Sequence, residues 1–98
     1  MEITYRTEKL RKVCTIPKEA DKKYGSEMTE KIHQRIDEIS AADTVEEMIL
    51  CHIGRCHRLQ GNRDGQYAVD LVHPYRLVFE KHEDEIQIAN ILEIVDYH

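Results

Sequence analysis

The chain has 98 residues, of which 41% are hydrophobic and 34% charged, and its formal net charge is −5. This size and composition predict one small globular domain over residues 1–98 and exclude a disordered or low-complexity protein. The acidic balance disfavours a general polyanion binder, and no apolar run reaches the roughly 20 residues that a membrane-spanning helix needs. A charged start without an apolar signal region, together with three cysteines, favours a reducing cytoplasm.

The N-terminal half predicts a short strand followed by helices. Residues 2–6, EITYR, alternate apolar and polar side chains, as a strand does. Over residues 10–39 the apolar positions recur every three or four residues, and this helical spacing keeps its phase across Gly25. The segment therefore predicts either one long helix or a pair of helices broken at Gly25-Ser26. A threonine followed three positions later by glutamate forms a capping box, which predicts a short helix over residues 44–50.

The C-terminal half predicts an antiparallel sheet. Residues 66–72, QYAVDLV, and 75–80, YRLVFE, alternate as strands do, and HP separates them. After a charged loop, residues 86–95 form a last strand, with a bulge expected near Asn90. Strands that follow one another along a chain pair antiparallel most easily. The expected fold class is α+β, with N-terminal helices packed on a small antiparallel β-sheet.

The segment CHIGRCH, from Cys51 to His57, places four soft-metal ligands within seven residues. Structural zinc sites use two separated ligand pairs, and no second cluster follows here. Haem attachment needs two residues between its cysteines, whereas four separate Cys51 from Cys56. The pattern therefore favours small, half-buried thiols, and we expect neither a metal nor a cofactor. It assigns no role to Cys14, Cys51 or Cys56.

Residues 52–76 form a locally basic segment of this acidic chain, with four arginines against two acids. The arginines are Arg55, Arg58, Arg63 and Arg76. A tight polar loop between two glycines, HRLQGNRDGQY, is expected to present His57, Arg58 and Arg63 on one rim. The alternatives are an ordinary hairpin with solvated charges and a mid-strand Arg76 that simply faces solvent.

The chain ends on IVDYH, where Ile94 and Val95 precede Asp96, Tyr97 and His98. An acid, a phenol and an imidazole can between them transfer a proton. Taken alone, such an end is typical of a frayed tail. The two apolar residues favour a last strand that delivers the three polar ones to the edge of the sheet.

Three of these pieces occur together and in order: HRLQGNRDGQY at 57–67, YRLVF at 75–79 and DYH at 96–98. Together they resemble the HigB branch of the RelE/ParE toxins, the killer halves of bacterial toxin–antitoxin modules found in plasmid maintenance systems. The resemblance covers the whole chain. It implies a ribosome-dependent endoribonuclease that cuts mRNA in the ribosomal A site. It also implies inhibition by a cognate HigA-type antitoxin with a helix-turn-helix DNA-binding domain.

The resemblance also implies which residues act. It places the catalytic set at His57, Arg76, Asp96, Tyr97 and His98, and the loop arginine at Arg63. We expect Arg63 to bind RNA phosphate, together with Arg58 and Arg55 of the same basic segment.

Metal-free RNA cleavage through the ribose 2′-OH requires a base, an acid and positive charge at the developing phosphorane. His57 and His98 are the expected acid–base pair, in an order that stays open. Asp96 orients an imidazole or is itself the base. Tyr97 stacks on a nucleobase or positions the phosphate, and Arg76 neutralises the phosphate bidentately.

The chain departs from the family pattern in its charges. Gln60 stands where the loop commonly carries lysine, Asp64 follows Arg63, and the catalytic lysine cluster of RelE has no counterpart. Two alternatives therefore stay open: a ParE-like gyrase inhibitor, and a catalytically decayed module kept for antitoxin binding. The terminal triplet disfavours the gyrase inhibitor, which needs no groups for proton transfer.

Overall fold

The computed structural model describes residues 1–97, and within them it has four α-helices, five strands and two single 3-10 turns. The helices are α1 (Glu8–Thr15), α2 (Pro17–Tyr24), α3 (Ser26–Ala41) and α4 (Val45–Leu50). The strands are β1 (Glu2–Tyr5), β2 (His57–Arg58), β3 (Gln66–Asp70), β4 (Tyr75–His82) and β5 (Ile88–Asp96). The predicted α+β class is confirmed. No helix within residues 1–97 is long and apolar enough to span a membrane.

The helical segment breaks twice. Gly25 separates α2 from α3 at φ 89, in the left-handed region that glycine enters most easily, so the predicted break there is confirmed. The prediction of at most two helices is wrong, because a further break falls at Ile16. That residue precedes Pro17, whose ring disfavours helical backbone at the position before it, and it is extended at φ −114 and ψ 107. The predicted helix start at Thr44 is confirmed, since the Thr44 hydroxyl accepts from the Glu47 N–H at 3.0 Å, but the Glu47 carboxylate accepts from the N–H of Asp43 rather than of Thr44.

The sheet has the strand order β1-β5-β4-β3-β2. The three pairs from β2 to β5 are antiparallel, as predicted. The pair of β1 with β5 is parallel, so the sheet is mixed and the expectation of a wholly antiparallel one is wrong. A strand joined to the rest of the sheet through long helical connections can enter it parallel, because the connection is long enough to cross over. The bulge that was predicted near Asn90 is present and falls at Leu92, between the residues opposite Val78 and Phe79.

The helices pack on one face of this sheet. The main core lies there and includes Leu77 and Phe79 of β4 and Ile32 and Ile39 of α3, all fully buried. The other face carries a smaller cluster, which consists of Leu59, Ala68, Val78 and Leu92, with Val95 and Tyr97 packed against it. Within residues 1–97 no helical residue belongs to this smaller cluster. We call this side of the sheet the open face.

Candidate active site on the open face of the sheet

The strand register brings charged side chains together on the open face. His57 pairs with Ala68, Asp70 pairs with Arg76, and Arg76 pairs with Val95. Residues that are directly opposite point to the same side of a sheet, and side chains alternate along each strand. His57, Asp70 and Arg76 therefore lie on the face that carries Ala68 and Val95.

Arg76 is held at the centre of this group. Its side chain is 28% exposed, and its Nε lies 3.4 Å from Oδ1 of Asp70. The guanidinium carbon lies 4.8 Å from the centroid of the Tyr97 ring, within the range of a cation–π contact. The Tyr97 N–H donates to the carbonyl of Pro74 at 2.9 Å, which holds the backbone of Tyr97 beside Arg76. Arg76 thus does not simply face solvent, and the chain is anchored as far as Tyr97.

Asp70 connects the arginines of the site, although no sequence motif singles it out. Arg55 donates from Nε to Oδ2 at 2.6 Å and from Nη2 to Oδ1 at 3.0 Å, which is a bidentate pair. Partial burial alone would raise the pKa of Asp70. The hydrogen bond from Arg55 and the charges of Arg55, Arg76 and His57 outweigh it, so the pKa lies below its ordinary value. Asp70 therefore remains a carboxylate at neutral pH.

Arg55 also orients the imidazole of His57. The backbone at Arg55 has φ 54, a left-handed conformation that non-glycine residues rarely adopt. Its carbonyl lies 2.9 Å from Nδ1 of His57. Because a carbonyl only accepts, Nδ1 must carry the proton, and the lone pair of neutral His57 then lies on Nε2. The carbonyl of Arg55 therefore fixes the tautomer of neutral His57.

The backbone under Asp70 is held from the helical side. Arg35 of α3 donates from Nε to the carbonyl of Asp70 at 2.6 Å, and its side chain is only 13% exposed. A Cβ at Gly54 would lie 2.9 Å from this arginine side chain, so glycine leaves the room that the contact needs. These two residues support the site from behind, and local sequence patterns carry no signal for such long-range contacts.

The structure separates the other predicted phosphate-binding residues. Arg58 pairs with Tyr67 across β2 and β3, and its guanidinium lies 5.9 Å from that buried ring. It therefore lies on the face opposite His57, and the prediction of a shared rim is wrong for Arg58. Arg63 is on the open face, where it donates to Glu93 at 2.6 Å and to Gln66 at 3.1 Å.

The family model that matches this chain is described as the RelE-like toxin of the type II toxin–antitoxin system HigB, and it covers residues 5–98. The chain belongs to this family. Among solved structures, a YoeB/ParE toxin from Agrobacterium tumefaciens is similar in fold, with a TM-score of 0.69 over 100% of each chain and 14% sequence identity. No functionally curated protein matches the chain.

Membership of the HigB-like family makes this protein the toxin of a toxin–antitoxin module, with an antitoxin as its partner. Of the residues that the resemblance singled out, His57, Arg76 and Tyr97 lie on the open face of the toxin. Asp96 ends β5 opposite Tyr75 and is exposed, and because side chains alternate along a strand it lies on the face away from Arg76 and Val95. His98 lies outside the described residues, so its predicted position in the site stays a prediction.

The cysteines of the toxin divide into two environments. Cys14 and Cys56 are buried, and burial raises the pKa of each thiol to about 12. Cys51 is exposed, so the prediction of half-buried thiols in CHIGRCH describes neither cysteine of that segment. In the range 1–97 no three or more His, Cys, Asp or Glu side chains are grouped so that they could hold a metal ion.

Proposed function

We propose that this HigB-like toxin is a ribosome-dependent mRNA endonuclease that cleaves RNA by transesterification without a metal or other cofactor. The observation that carries the proposal is the arrangement around Arg76. Its guanidinium contacts both the Asp70 carboxylate and the Tyr97 ring on the open face, which it shares with the oriented imidazole of His57. This combination offers positive charge, an aromatic surface and a proton-transfer group to one strand of RNA.

The reaction that suits these groups is an internal displacement at phosphorus. The ribose 2′-oxygen forms a bond to the neighbouring phosphorus, and the bond from phosphorus to the 5′-oxygen of the next nucleotide breaks. The products are a 2′,3′-cyclic phosphate and a free 5′-hydroxyl. One group takes the proton of the 2′-OH, and another donates a proton to the departing 5′-oxygen. Positive charge stabilises the phosphorane between these steps.

The tautomer of His57 supports an order for the two proton transfers. With its proton on Nδ1, neutral His57 carries its lone pair on Nε2 and is suited to take the 2′-OH proton. We assign the acid role to His98, with Asp96 orienting that imidazole. Arg76 neutralises the phosphate, assisted by Arg55, while Tyr97 stacks on a nucleobase beside it.

The partners of the proposed reaction are the ribosome and its mRNA. The ribosomal A site would present one unpaired codon, and single-stranded RNA with splayed bases is the form that aromatic side chains can stack on. The site of action would then be cytoplasmic. The antitoxin that the family implies would be of the HigA helix-turn-helix type.

Ribosomes programmed with a defined mRNA test the proposal. Cleavage within the A-site codon should require both the ribosome and the toxin. It should persist when no divalent ions are added beyond those that the ribosome needs. The downstream fragment should carry a 5′-hydroxyl. A toxin that leaves RNA intact but, when added to DNA gyrase, blocks supercoiling or causes DNA breaks would instead be a ParE-like inhibitor.

A second candidate is an antitoxin-binding module with little or no nuclease activity. It is favoured by the charges of the open face, where Arg55 and Arg76 are paired with Asp70, and Arg63 with Glu93. A protein that retains antitoxin binding, but neither cleaves mRNA on programmed ribosomes nor arrests growth, would support this candidate over the nuclease.

A further inference from the structure

The Asp70 carboxylate is bound by two arginines on the open face. It receives the fork of Arg55 on both oxygens, at 2.6 and 3.0 Å, and the Nε of Arg76 at 3.4 Å. An arginine fork binds carboxylate and phosphate oxygens with the same planar geometry. Two cations thus converge on one anion, and that anion belongs to the protein itself.

We propose that Asp70 is an internal competitor for RNA phosphate, which occupies Arg55 and Arg76 in the free toxin and gives way to a phosphodiester of the substrate. This inference rests on the proposed function and adds a positioning residue to it. Asp70 holds the two guanidinium groups in place before substrate arrives, and it lowers the affinity of the toxin for RNA that is not presented by the ribosome.

The surroundings of Asp70 allow such an exchange. The Arg55 side chain is 61% exposed, so it can turn towards a ligand without leaving a packed environment. Arg76 also contacts the Tyr97 ring, and this second contact would hold it in place when the contact with Asp70 is lost. The groups that face the carboxylate are Arg55 from the turn before β2, Arg76 from β4 and His57 from β2, and all favour an anion at this point.

A substitution at Asp70 should leave the fold intact, because α3 holds its backbone rather than its side chain. The carbonyl that accepts from Arg35 remains in any variant of Asp70. Asp70→Asn keeps the size of the side chain while it removes the charge. Asp70→Glu keeps the charge, so it should retain the competition.

Binding of RNA to the purified toxin at a series of salt concentrations tests the proposal. The probe is a short fluorescein-labelled 2′-O-methyl RNA, which cannot be cleaved through its 2′-oxygen, and the signal is fluorescence anisotropy. Asp70→Asn should bind on the order of tenfold more tightly than the parent at low salt. Its plot of log affinity against log salt should be steeper by about 0.7, the value for one further charge neutralised on a single strand.

The matched control is Glu80→Gln, which changes the net charge by the same amount on the same face. Glu80 bonds with Asn90 and His82 rather than with an arginine. Asp70→Glu and Glu80→Gln should keep the affinity and slope of the parent. An Asp70→Asn protein that has the parent slope, the same gain as Glu80→Gln, or no measurable RNA binding would overturn the proposal.

Cleavage of mRNA on programmed ribosomes by the same proteins separates this inference from the proposed function. If the parent does not cleave mRNA on the ribosome but Asp70→Asn has the steeper slope, the phosphate site is supported and the proposed nuclease function is refuted. If the parent cleaves mRNA but the slope of Asp70→Asn is unchanged, the role of Asp70 is refuted and the proposed nuclease function stands.

Discussion

Replacement of Arg76 by lysine should lower the cleavage rate by about 10–10²-fold without unfolding the toxin. Lysine keeps the charge but loses the planar fork, so one charge-assisted hydrogen bond to phosphate is lost, worth about 1.5–3 kcal/mol. The contact with the Tyr97 ring, at 4.8 Å in the parent, exists before substrate binds and is open to lysine too, so it adds nothing to the barrier. At about 1.4 kcal/mol per tenfold in rate, the lost hydrogen bond gives the predicted decrease.

The assay for Arg76→Lys is single-turnover cleavage of mRNA on programmed ribosomes, with the toxin in excess and fragments quantified by primer extension. Arg11→Lys is the matched control, because Arg11 lies on α1 and pairs with Glu8 at the exposed surface of that helix. The control should cleave like the parent, and the melting temperatures of all three proteins should agree within a few degrees. Cleavage by Arg76→Lys within threefold of the parent rate would refute the role of the guanidinium fork.

Three further outcomes follow from the same site and fold. His57→Ala should lower the cleavage rate on ribosomes about 10²–10⁴-fold, as loss of a general acid or base does, and a parent-like rate would make His57 an ordinary loop residue. A stop codon after Val95, which removes residues 96–98, should abolish growth arrest and mRNA cleavage in cells but leave antitoxin co-purification nearly intact; undiminished toxicity would exclude the terminal triplet from the site. At about pH 8 a thiol reagent should modify only Cys51 in the folded toxin and all three cysteines in denaturant, because burial and a raised pKa protect the other two; fast labelling of a second thiol in the folded state would contradict the core packing.

The elements of the fold could be predicted wherever the signal was local. Periodic apolar positions identified the helical region and the strands β3, β4 and β5, and a cap identified the start of α4. The break at Ile16 was missed because the helical spacing of apolar residues continues across it. Pro17 carried the signal, since proline suits the first turn of a new helix and disfavours helical backbone at the residue before it. The parallel position of β1 depends on contacts with β5 across most of the chain, which no local pattern carries.

The candidate site was predictable in part for the same reason. The motif assigned His57 and Arg76, but Arg58 was placed with them because residues 57–58 were interpreted as a loop rim. In a strand, neighbouring side chains point to opposite faces, and β2 separates His57 from Arg58 in this way. Predicting the role of Asp70 would have required the register of the hairpin between β3 and β4, because this register places Asp70 opposite Arg76.

The most direct test of the central claim is to induce the gene alone in a bacterium and map transcript 5′ ends across the transcriptome. The proposed mechanism predicts new 5′-hydroxyl ends within translated reading frames, in phase with codons, and their loss in Arg76→Lys and His57→Ala. Ends without codon phase, ends that also arise in untranslated RNA, or growth arrest with DNA breaks and intact mRNA would contradict a ribosome-dependent nuclease.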